Sequence, residues 1–416
     1  MFDFMEMAFD ESVEATGSTG PYIPEASECL RCGLCVSSCP TFRLFQIDEE
    51  TPRRRIRTIS KLLVEDLPIS ADERRHLDNC MQCRACETVC PSRMAYGQLF
   101  DQAQARLQTA PNMLAKLAFR LIENKRWRTR LMPLLAVYLK SGLQKPIRYS
   151  GLLKILRLEN AEALLAKPAL HSLADHYPAT TKTRGQVALF TGCIAEHFDR
   201  ETFSAAIKLL NAIGYEVLVP PQQGCCGAIH QHNGQSAAGL INNNIRVFNA
   251  LDVDAVVHTA SGCGTMLSEY KSDDGEAVQV FQQRLSDIND FLLSHWPEDL
   301  QLMAAELNVA VHEPCSQRNV LKNQRAVYAL LEKIPGLSAV ALPDNHICCG
   351  AGGSYMLTHP DNAGQLRALK QQIITASAAD VVVSGNLGCS VYLNAYPDTT
   401  IHVQHPLILL AGQLPL

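Results

Sequence analysis

Sixteen cysteines fall into four groups of four with none left over, and this grouping limits what the chain can fold into more than any other feature. The groups are Cys29, Cys32, Cys35 and Cys39; Cys80, Cys83, Cys86 and Cys90; Cys193, Cys225, Cys226 and Cys263; and Cys315, Cys348, Cys349 and Cys389. Each member of the second group follows its counterpart in the first by 51 residues, and Pro40 and Pro91 close the two runs. The third and fourth groups repeat at offsets of 122, 123, 123 and 126. Their flanks repeat too: VALFTGC (187–193) answers VAVHEPC (309–315), YEVLVPPQQGCCG (215–227) answers SAVALPDNHICCG (338–350), and DAVVHTASGC (254–263) answers ADVVVSGNLGC (379–389). The C-terminal half is therefore an internal duplication.

Compartment decides how such cysteines are read. Asp3, Glu6, Asp10, Glu11 and Glu14 stand where a secretory signal needs positive charge, so a cytoplasmic location is expected. There, closely spaced cysteines read as metal ligands before disulfides. The longest strongly apolar run, Leu131 to Leu139, reaches about half of the ~18 residues a membrane-spanning helix needs. With 47% hydrophobic and 19% charged residues the chain is globular, which excludes fibre and disorder, and 416 residues predict two to four domains. A net charge of -5 argues against a general nucleic-acid binder.

The spacing C-x2-C-x2-C-x3-C-P, present twice, is that of bacterial ferredoxins, in which the fourth cysteine of each run ligates the other run's cluster. Three closely spaced thiolates in one loop cap three irons of a cube, and the fourth must arrive from another segment. One 4Fe-4S cluster is thereby assigned Cys29, Cys32, Cys35 and Cys90, and the other Cys80, Cys83, Cys86 and Cys39. Zinc ribbons use two C-x2-C pairs instead, which disfavours zinc. Gly33 frees the first loop from Cβ crowding, whereas Ala85 stands inside the corresponding second loop.

In each duplicated unit short β-branched runs alternate with helical patterns, as in Val187 to Phe190, Thr202 to Ile213 and Glu216 to Val219, predicting βαβ units around a parallel sheet. Cys193, Cys263, Cys315 and Cys389 then fall just past strand ends, where open α/β sheets place ligands. The pairs Cys225-Cys226-Gly227 and Cys348-Cys349-Gly350 put two thiolates on one tight turn, so that four can converge in each unit. The competing reading, buried structural thiols, gives no reason for recurrence in register.

His230, His232 and His346 lie near the paired cysteines, but loop histidines are more often surface or hydrogen-bonded residues than ligands. CCGAGG (348–353) lacks both the dinucleotide fingerprint and the Walker lysine, and no flavin, nicotinamide or hydrolytic constellation appears. Between the halves a helical stretch is interrupted at Pro133, Gly142 and Pro146. From Leu114 to Arg157 it carries eleven Lys and Arg against Glu123 alone, with Trp127, Leu131, Leu134, Leu135 and Tyr138 interleaved. This is either a solvated face or a docking surface for anionic lipid or an acidic partner.

The paired-cysteine units resemble the CCG cysteine-rich domain of heterodisulfide reductase and of iron-sulfur subunits of flavoprotein dehydrogenases. The full pattern of that domain ends in C-x2-C, five cysteines in all; Ala260 and Asn386 replace the first cysteine of that element here. The resemblance with this departure implies one iron-sulfur cluster per unit on four thiolates, without the disulfide-cleaving chemistry of the enlarged five-cysteine cluster.

Two ferredoxin runs followed by two such domains resemble the iron-sulfur subunit of glycolate oxidase (glycolate dehydrogenase). CPTF (39–42), TPRRRI (51–56) and HLDNCMQCRACETVCPS (76–92) are similar to segments of that family, with Arg54 and Arg93 in place of glycines. The resemblance implies an α/β fold with an N-terminal α-helical ferredoxin-like domain and duplicated βαβ CCG domains with parallel sheets. The expected divisions are a flexible acidic tail (1–22), a two-cluster 4Fe-4S ferredoxin-like domain (23–110), a basic helical linker (111–184) and CCG domains at 185–303 and 304–416. It further implies an electron-transfer subunit, without a catalytic site of its own and inactive alone. Its partner would be an FAD-binding 2-hydroxy-acid (glycolate or D-lactate) dehydrogenase, with electrons passing towards quinone and a peripheral contact at the inner face of the cytoplasmic membrane. The alternatives are a heterodisulfide-reductase-like thiol-disulfide oxidoreductase and the iron-sulfur subunit of anaerobic glycerol-3-phosphate dehydrogenase.

Overall fold

The computed structural model describes residues 29, 32–107, 111, 113–156, 158–395 and 402–415. The acidic tail expected at 1–22 lies outside the described residues.

The N-terminal region is helical. Thr51 caps the helix Pro52–Leu63 by accepting the Arg54 N–H, with Pro52 in the first turn where its missing donor costs nothing. Ser70 and Glu73 form a reciprocal capping box that starts Ala71–Asp78. Ile56, Ile59, Leu62 and Leu77 pack with Met94, Leu99, Phe100 and Ala103, the last three from the helix Tyr96–Arg106. This small core holds the cysteine loops, which lie outside the longer helices. Left-handed residues turn both C-x2-C-x2-C loops: Gly33 at φ 80 in the first, and Gln82 at φ 52 and Arg84 at φ 57 in the second. The position 51 residues after Gly33 is Arg84, beside Ala85, and Arg84 is held there by its ion pairs with Glu87 and Glu269.

The basic stretch folds into helices at Met113–Glu123, Lys125–Lys140, Gln144–Tyr149, Leu152–Ile155 and Glu159–Ala163. Pro133 does not interrupt the second of these, contrary to expectation. The helix is anchored on either side of the proline by the Asn124 cap and by buried Arg128, Met132 and Ala136, and this packing offsets the one backbone bond that Pro133 removes. Gly142, at φ 74, follows its end, and Pro146 falls in the first turn of the next helix.

The C-terminal half contains two sheets. The first has β1 (His176–Tyr177), β2 (Gly185–Phe190), β3 (Tyr215–Leu218), β4 (Ala255–His258) and β5 (Leu285–Asp287) in the order β1-β3-β2-β4-β5. The second has β6 (Asn308–His312), β7 (Ser338–Ala341), β8 (Val381–Ser384) and β9 (Val403–Gln404) in the order β7-β6-β8-β9. All pairings are parallel except β1 with β3. Register repeats as well: Val187 faces Val217 and Ala255, as Val309 faces Ala339 and Val381. The copies share one core, in which Leu189, Phe203 and Leu210 of the first pack with Val309, Val383 and Leu407 of the second. Helical N-terminus, parallel sheets and duplication are as the sequence predicts.

Candidate metal centres

All sixteen cysteines are free thiols, and they gather into four places. One cavity is lined by Cys29, Cys32, Cys35 and Cys90, with Cys86, Ile56, Met94 and Tyr96 as its wall. A second is lined by Cys39, Cys80, Cys83 and Cys86, with Arg55 and Tyr96. The first cavity takes three thiols from one run and two, Cys86 and Cys90, from the other; the second takes three from one run and Cys39 from the other, and Cys86 and Tyr96 border both.

Polar side chains address the sulfurs of the second cavity. Arg55, buried, donates from Nη1 to Cys39 Sγ at 3.6 Å and from Nε to the His76 carbonyl at 2.7 Å. Its other end pairs with buried Glu50, whose second oxygen receives the Asn79 amide and meets His76 Nδ1, both at 2.7 Å. Tyr96 donates to Cys80 Sγ at 3.4 Å, and so does the backbone N–H of Gln82. Burial pushes the Cys80, Cys83 and Cys86 thiols up; the charges of neighbouring cysteines add to the rise at Cys83 and Cys86, whereas the Arg55 charge and the Tyr96 hydroxyl oppose it at Cys80.

The duplicated units each align four thiols in the same sequence. Cys193 Sγ lies 3.3 Å from Cys225 Sγ, and Cys226 contacts both Cys225 and Cys263. In the second copy Cys348 contacts Cys315 and Cys349, and Cys349 Sγ lies 3.2 Å from Cys389 Sγ. The glycine after each pair has a geometric cause. Gly227 and Gly350 adopt φ 94 and 93, and their N–H groups donate to Cys225 and Cys348 Sγ at 3.4 Å. A Cβ on Gly350 would meet the Ala363 carbonyl at 2.4 Å. A second repeated device ties the strand-end loop down. Gln223 accepts from Thr191 N and donates to the Leu189 carbonyl; Asn345 does the same for Glu313 N and the Val311 carbonyl.

These donor sets fit iron-sulfur clusters. Contact among the thiols together with burial pushes Cys193 and Cys315 well up. Four crowded, desolvated sulfurs are costly as anions unless a cation bonds them all, and metal ligation supplies that.

Two residues distinguish the second copy. Lys370 is fully buried, donates from Nζ to the Asp344 carbonyl at 2.9 Å, and acts electrostatically on Cys349, Cys348 and Cys389. His312, at the end of β6, brings a ring nitrogen within 4.8 Å of both Cys349 and Cys389 Sγ. Burial, then the Lys370 charge, holds its imidazole down to about 3, so it is neutral.

The histidines singled out in the sequence have other partners. His230 Nε2 meets Glu123 at 2.9 Å, His232 Nδ1 meets Asp101 at 3.1 Å, and His346 faces Asp344. Sequence reasoning missed His312, although it is the third residue before Cys315. It also missed Lys370 and the role of Arg55, which lies inside TPRRRI.

The four thiol groups are contiguous. Asn319 Nδ2 donates to the Cys83 carbonyl at 2.7 Å, and Met81 packs among Cys348, Cys349 and Tyr355. After burial, the largest influence raising Cys83 is the charge of Cys315. On the far side Asn386, in the place of the absent cysteine, donates from Nδ2 to Cys389 Sγ at 3.4 Å and accepts from the N–H of Gly262, next to Cys263, at 3.2 Å. The second copy thus touches both the ferredoxin loop and the first copy, and the ferredoxin loop also meets the first copy directly, through Arg84 with Glu269 and Gln82 with the His232 carbonyl.

Paired cysteine quartets on a ferredoxin-like helical unit, joined to a duplicated cysteine-rich α/β unit, define an iron-sulfur electron-transfer subunit of a dehydrogenase. The 4Fe-4S dicluster domain family matches residues 25–94, the cysteine-rich domain family matches 187–268 and 309–394, and the linker region of the glycolate oxidase iron-sulfur subunit matches 110–165. The chain belongs to the glycolate oxidase iron-sulfur subunit family. It is 33% identical to the "Probable glycolate oxidase iron-sulfur subunit" of Bacillus subtilis (strain 168), over 88% of this chain and 87% of that one. With the "Glycolate oxidase iron-sulfur subunit" of Escherichia coli (strain K12) it shares 29% identity over 90% and 91% of the two chains. It is also 29% identical to "Lactate utilization protein A" of Macrococcus caseolyticus, over 49% of this chain and 86% of that one. A hypothetical protein from Helicobacter pylori has a solved structure of similar fold, with TM-score 0.51, 11% identity, and 88% of this chain and 68% of that one covered. Among the described residues no helix is long and apolar enough to cross a membrane.

Proposed function

We propose that this chain carries electrons from a separate FAD-containing 2-hydroxy-acid dehydrogenase, acting on glycolate or D-lactate, towards quinone, and that alone it oxidises no substrate. The names of its relatives, glycolate oxidase iron-sulfur subunit and lactate utilization protein, support that substrate class. The observation that carries the reading is the contiguity of the four thiol groups, with Cys83 beside Cys315 and Asn386 between Cys389 and Gly262.

Cys29, Cys32, Cys35 and Cys90 would hold one 4Fe-4S cluster and Cys39, Cys80, Cys83 and Cys86 the other. Cys193, Cys225, Cys226 and Cys263, and Cys315, Cys348, Cys349 and Cys389, would each hold a further one. Bound clusters supply one-electron transfer, which divides the two electrons of a reduced flavin. The chain's own residues do the rest. Arg55 offsets the thiolate charge at Cys39, Gly227 and Gly350 shape the paired-cysteine turns, and Asn319 and Met81 fix the ferredoxin loop against the second copy. The domain limits 23–110, 111–184, 185–303 and 304–416 belong to the same proposal, as does peripheral attachment at the inner face of the cytoplasmic membrane.

The test is reconstitution. The chain with its flavoprotein partner should restore electron flow from glycolate or D-lactate to a quinone analogue. Serine replacement of Cys83 or Cys348 should abolish it while sparing a dye reduced directly by the flavin. Turnover of a disulfide substrate by the chain and a low-potential donor, with no flavoprotein present, would replace this reading with a thiol-disulfide reductase.

A further inference from the structure

The two copies differ in how many donors meet at the thiols. In the first, the position ahead of the strand-end cysteine is Phe190, an apolar ring packed in the core with Cys193 and Cys225. In the second, the matching position is His312, 122 residues later, the same offset as between Cys193 and Cys315. Its ring nitrogen, Cys349 Sγ and Cys389 Sγ all lie within 4.8 Å of one another, the one such group of three donors among the described residues.

The geometry is specific to this histidine. The first copy also ends a strand on a buried histidine, His258, but that ring faces Asp287 at 3.7 Å and packs on Gly264, where a Cβ would approach it to 2.1 Å. His312 Nδ1 lies 2.9 Å from Ser384 Oγ, and this hydroxyl fixes the ring plane. A second-sphere hydrogen bond of this kind orients a ligating imidazole. Asn386 stands where the full pattern has a thiolate, and His312 brings a donor to Cys349 and Cys389 that the first copy lacks at Phe190.

We propose that His312 is a metal ligand of the second copy, making its centre a mixed imidazole–thiolate site while the first copy's centre is ligated by thiolates alone. This rests on the reading that the second copy holds an iron-sulfur cluster. A neutral imidazole brings less negative charge than a thiolate, so a centre that takes His312 in place of one of its four cysteine thiolates would sit at a higher potential. The two centres of the duplication would then differ in potential although they descend from one pattern.

The test is pulsed EPR of the anaerobically prepared, reduced full-length protein, with and without 15N-histidine. The signal lost in Cys348→Ser marks the second copy, and signals retained from the ferredoxin clusters show that the variant is folded. A strong nitrogen coupling on the marked signal is expected, changing with 15N-histidine and absent in His312→Phe, which installs the first copy's own residue. In His312→Cys the signal should remain without the coupling and move to lower potential. A marked signal with no histidine coupling, or one that survives in His312→Phe, overturns the assignment to His312 alone. Absence of any signal sensitive to Cys348→Ser overturns the cluster reading and the proposal together.

Discussion

Lys370 and Asn244 occupy the same place in the two halves of the duplication, 126 residues apart like Asp254 and Asp380. Those aspartates make equivalent bonds, Asp254 to the N–H of Gln186 and Asp380 to that of Asn308. Both residues of the pair are fully buried. Asn244 joins the Gly224 N–H, the Cys225 carbonyl and the Tyr270 hydroxyl, all neutral groups, whereas Lys370 places an ammonium near the second copy's thiols.

That charge favours the reduced, more negative state of any cluster held there. Replacing it, as Lys370→Asn, should lower the midpoint potential of the second copy's centre in an EPR-monitored redox titration and leave the ferredoxin centres unmoved. An unchanged midpoint would mean that the ammonium does not act on the centre. A buried charge counts because little water screens it.

Crossed ligation makes a separate prediction. Cys90→Ser should perturb the centre lined by Cys29, Cys32 and Cys35, not the one beside its own neighbours Cys83 and Cys86. Mössbauer spectra of the anaerobic protein distinguish the two, and selective loss of the Cys39-containing centre would refute the assignment.

His405 predicts a pH dependence of stability. Its Nδ1 accepts from the Leu407 N–H at 3.2 Å, which caps the last helix, and its Nε2–H donates to the Thr259 carbonyl of the other copy at 2.9 Å. Burial pushes its pKa down to about 4, with Thr259 and Asp287 opposing, from an ordinary 6.5. The folded state therefore excludes the proton. Its contribution is fully present above pH 6.5 and is lost as pH falls through about 4, at most about 3 kcal/mol in all. Denaturant titrations of His405→Gln should give lower stability at pH 7 and a flatter decline towards acid. Equal slopes for variant and wild type would assign the decline elsewhere.

The basic stretch predicts binding to anionic lipid. On the helix Lys125–Lys140 the exposed apolar residues Trp127 (59%), Leu134 (66%) and Val137 (64%) accompany exposed Arg126 and Arg130. Arg128 differs: it is buried, donates to the Ile122 carbonyl and pairs with Glu196. Reversing Arg126 and Arg130 to glutamate should weaken flotation with phosphatidylglycerol vesicles in a salt-dependent way while leaving the fold intact. Arg128→Glu should instead destabilise the protein, since it leaves a buried charge beside Glu196. Equal vesicle binding at low ionic strength would reduce the stretch to a solvated face.

The cysteines were legible because ligand chemistry restricts residue type and loop geometry restricts spacing; both leave a mark in one short segment. The parallel sheets were legible from β-branched runs. What the sequence hid came from distance. Arg55 reaches Cys39 across 16 residues, and Lys370 acts through its charge on Cys348 and Cys349 from a helix whose pattern gives no sign that one lysine faces inward. His312 was visible where VAVHEPC is set against VALFTGC, but a ring's direction depends on Ser384 from another strand. Pro133 misled because local propensity was outweighed by packing.

The shared core has a consequence for how the molecule assembles. Leu407 and Leu410 close over Phe203, Leu210 and Ile213 of the first copy, and Val309 and Val383 complete the same apolar interior. Neither repeat can exclude water from its inner face without the other, so the duplicate segments, though separable on paper, should gain their structure in a single cooperative step. A truncation between them would leave a sticky half rather than a smaller working module.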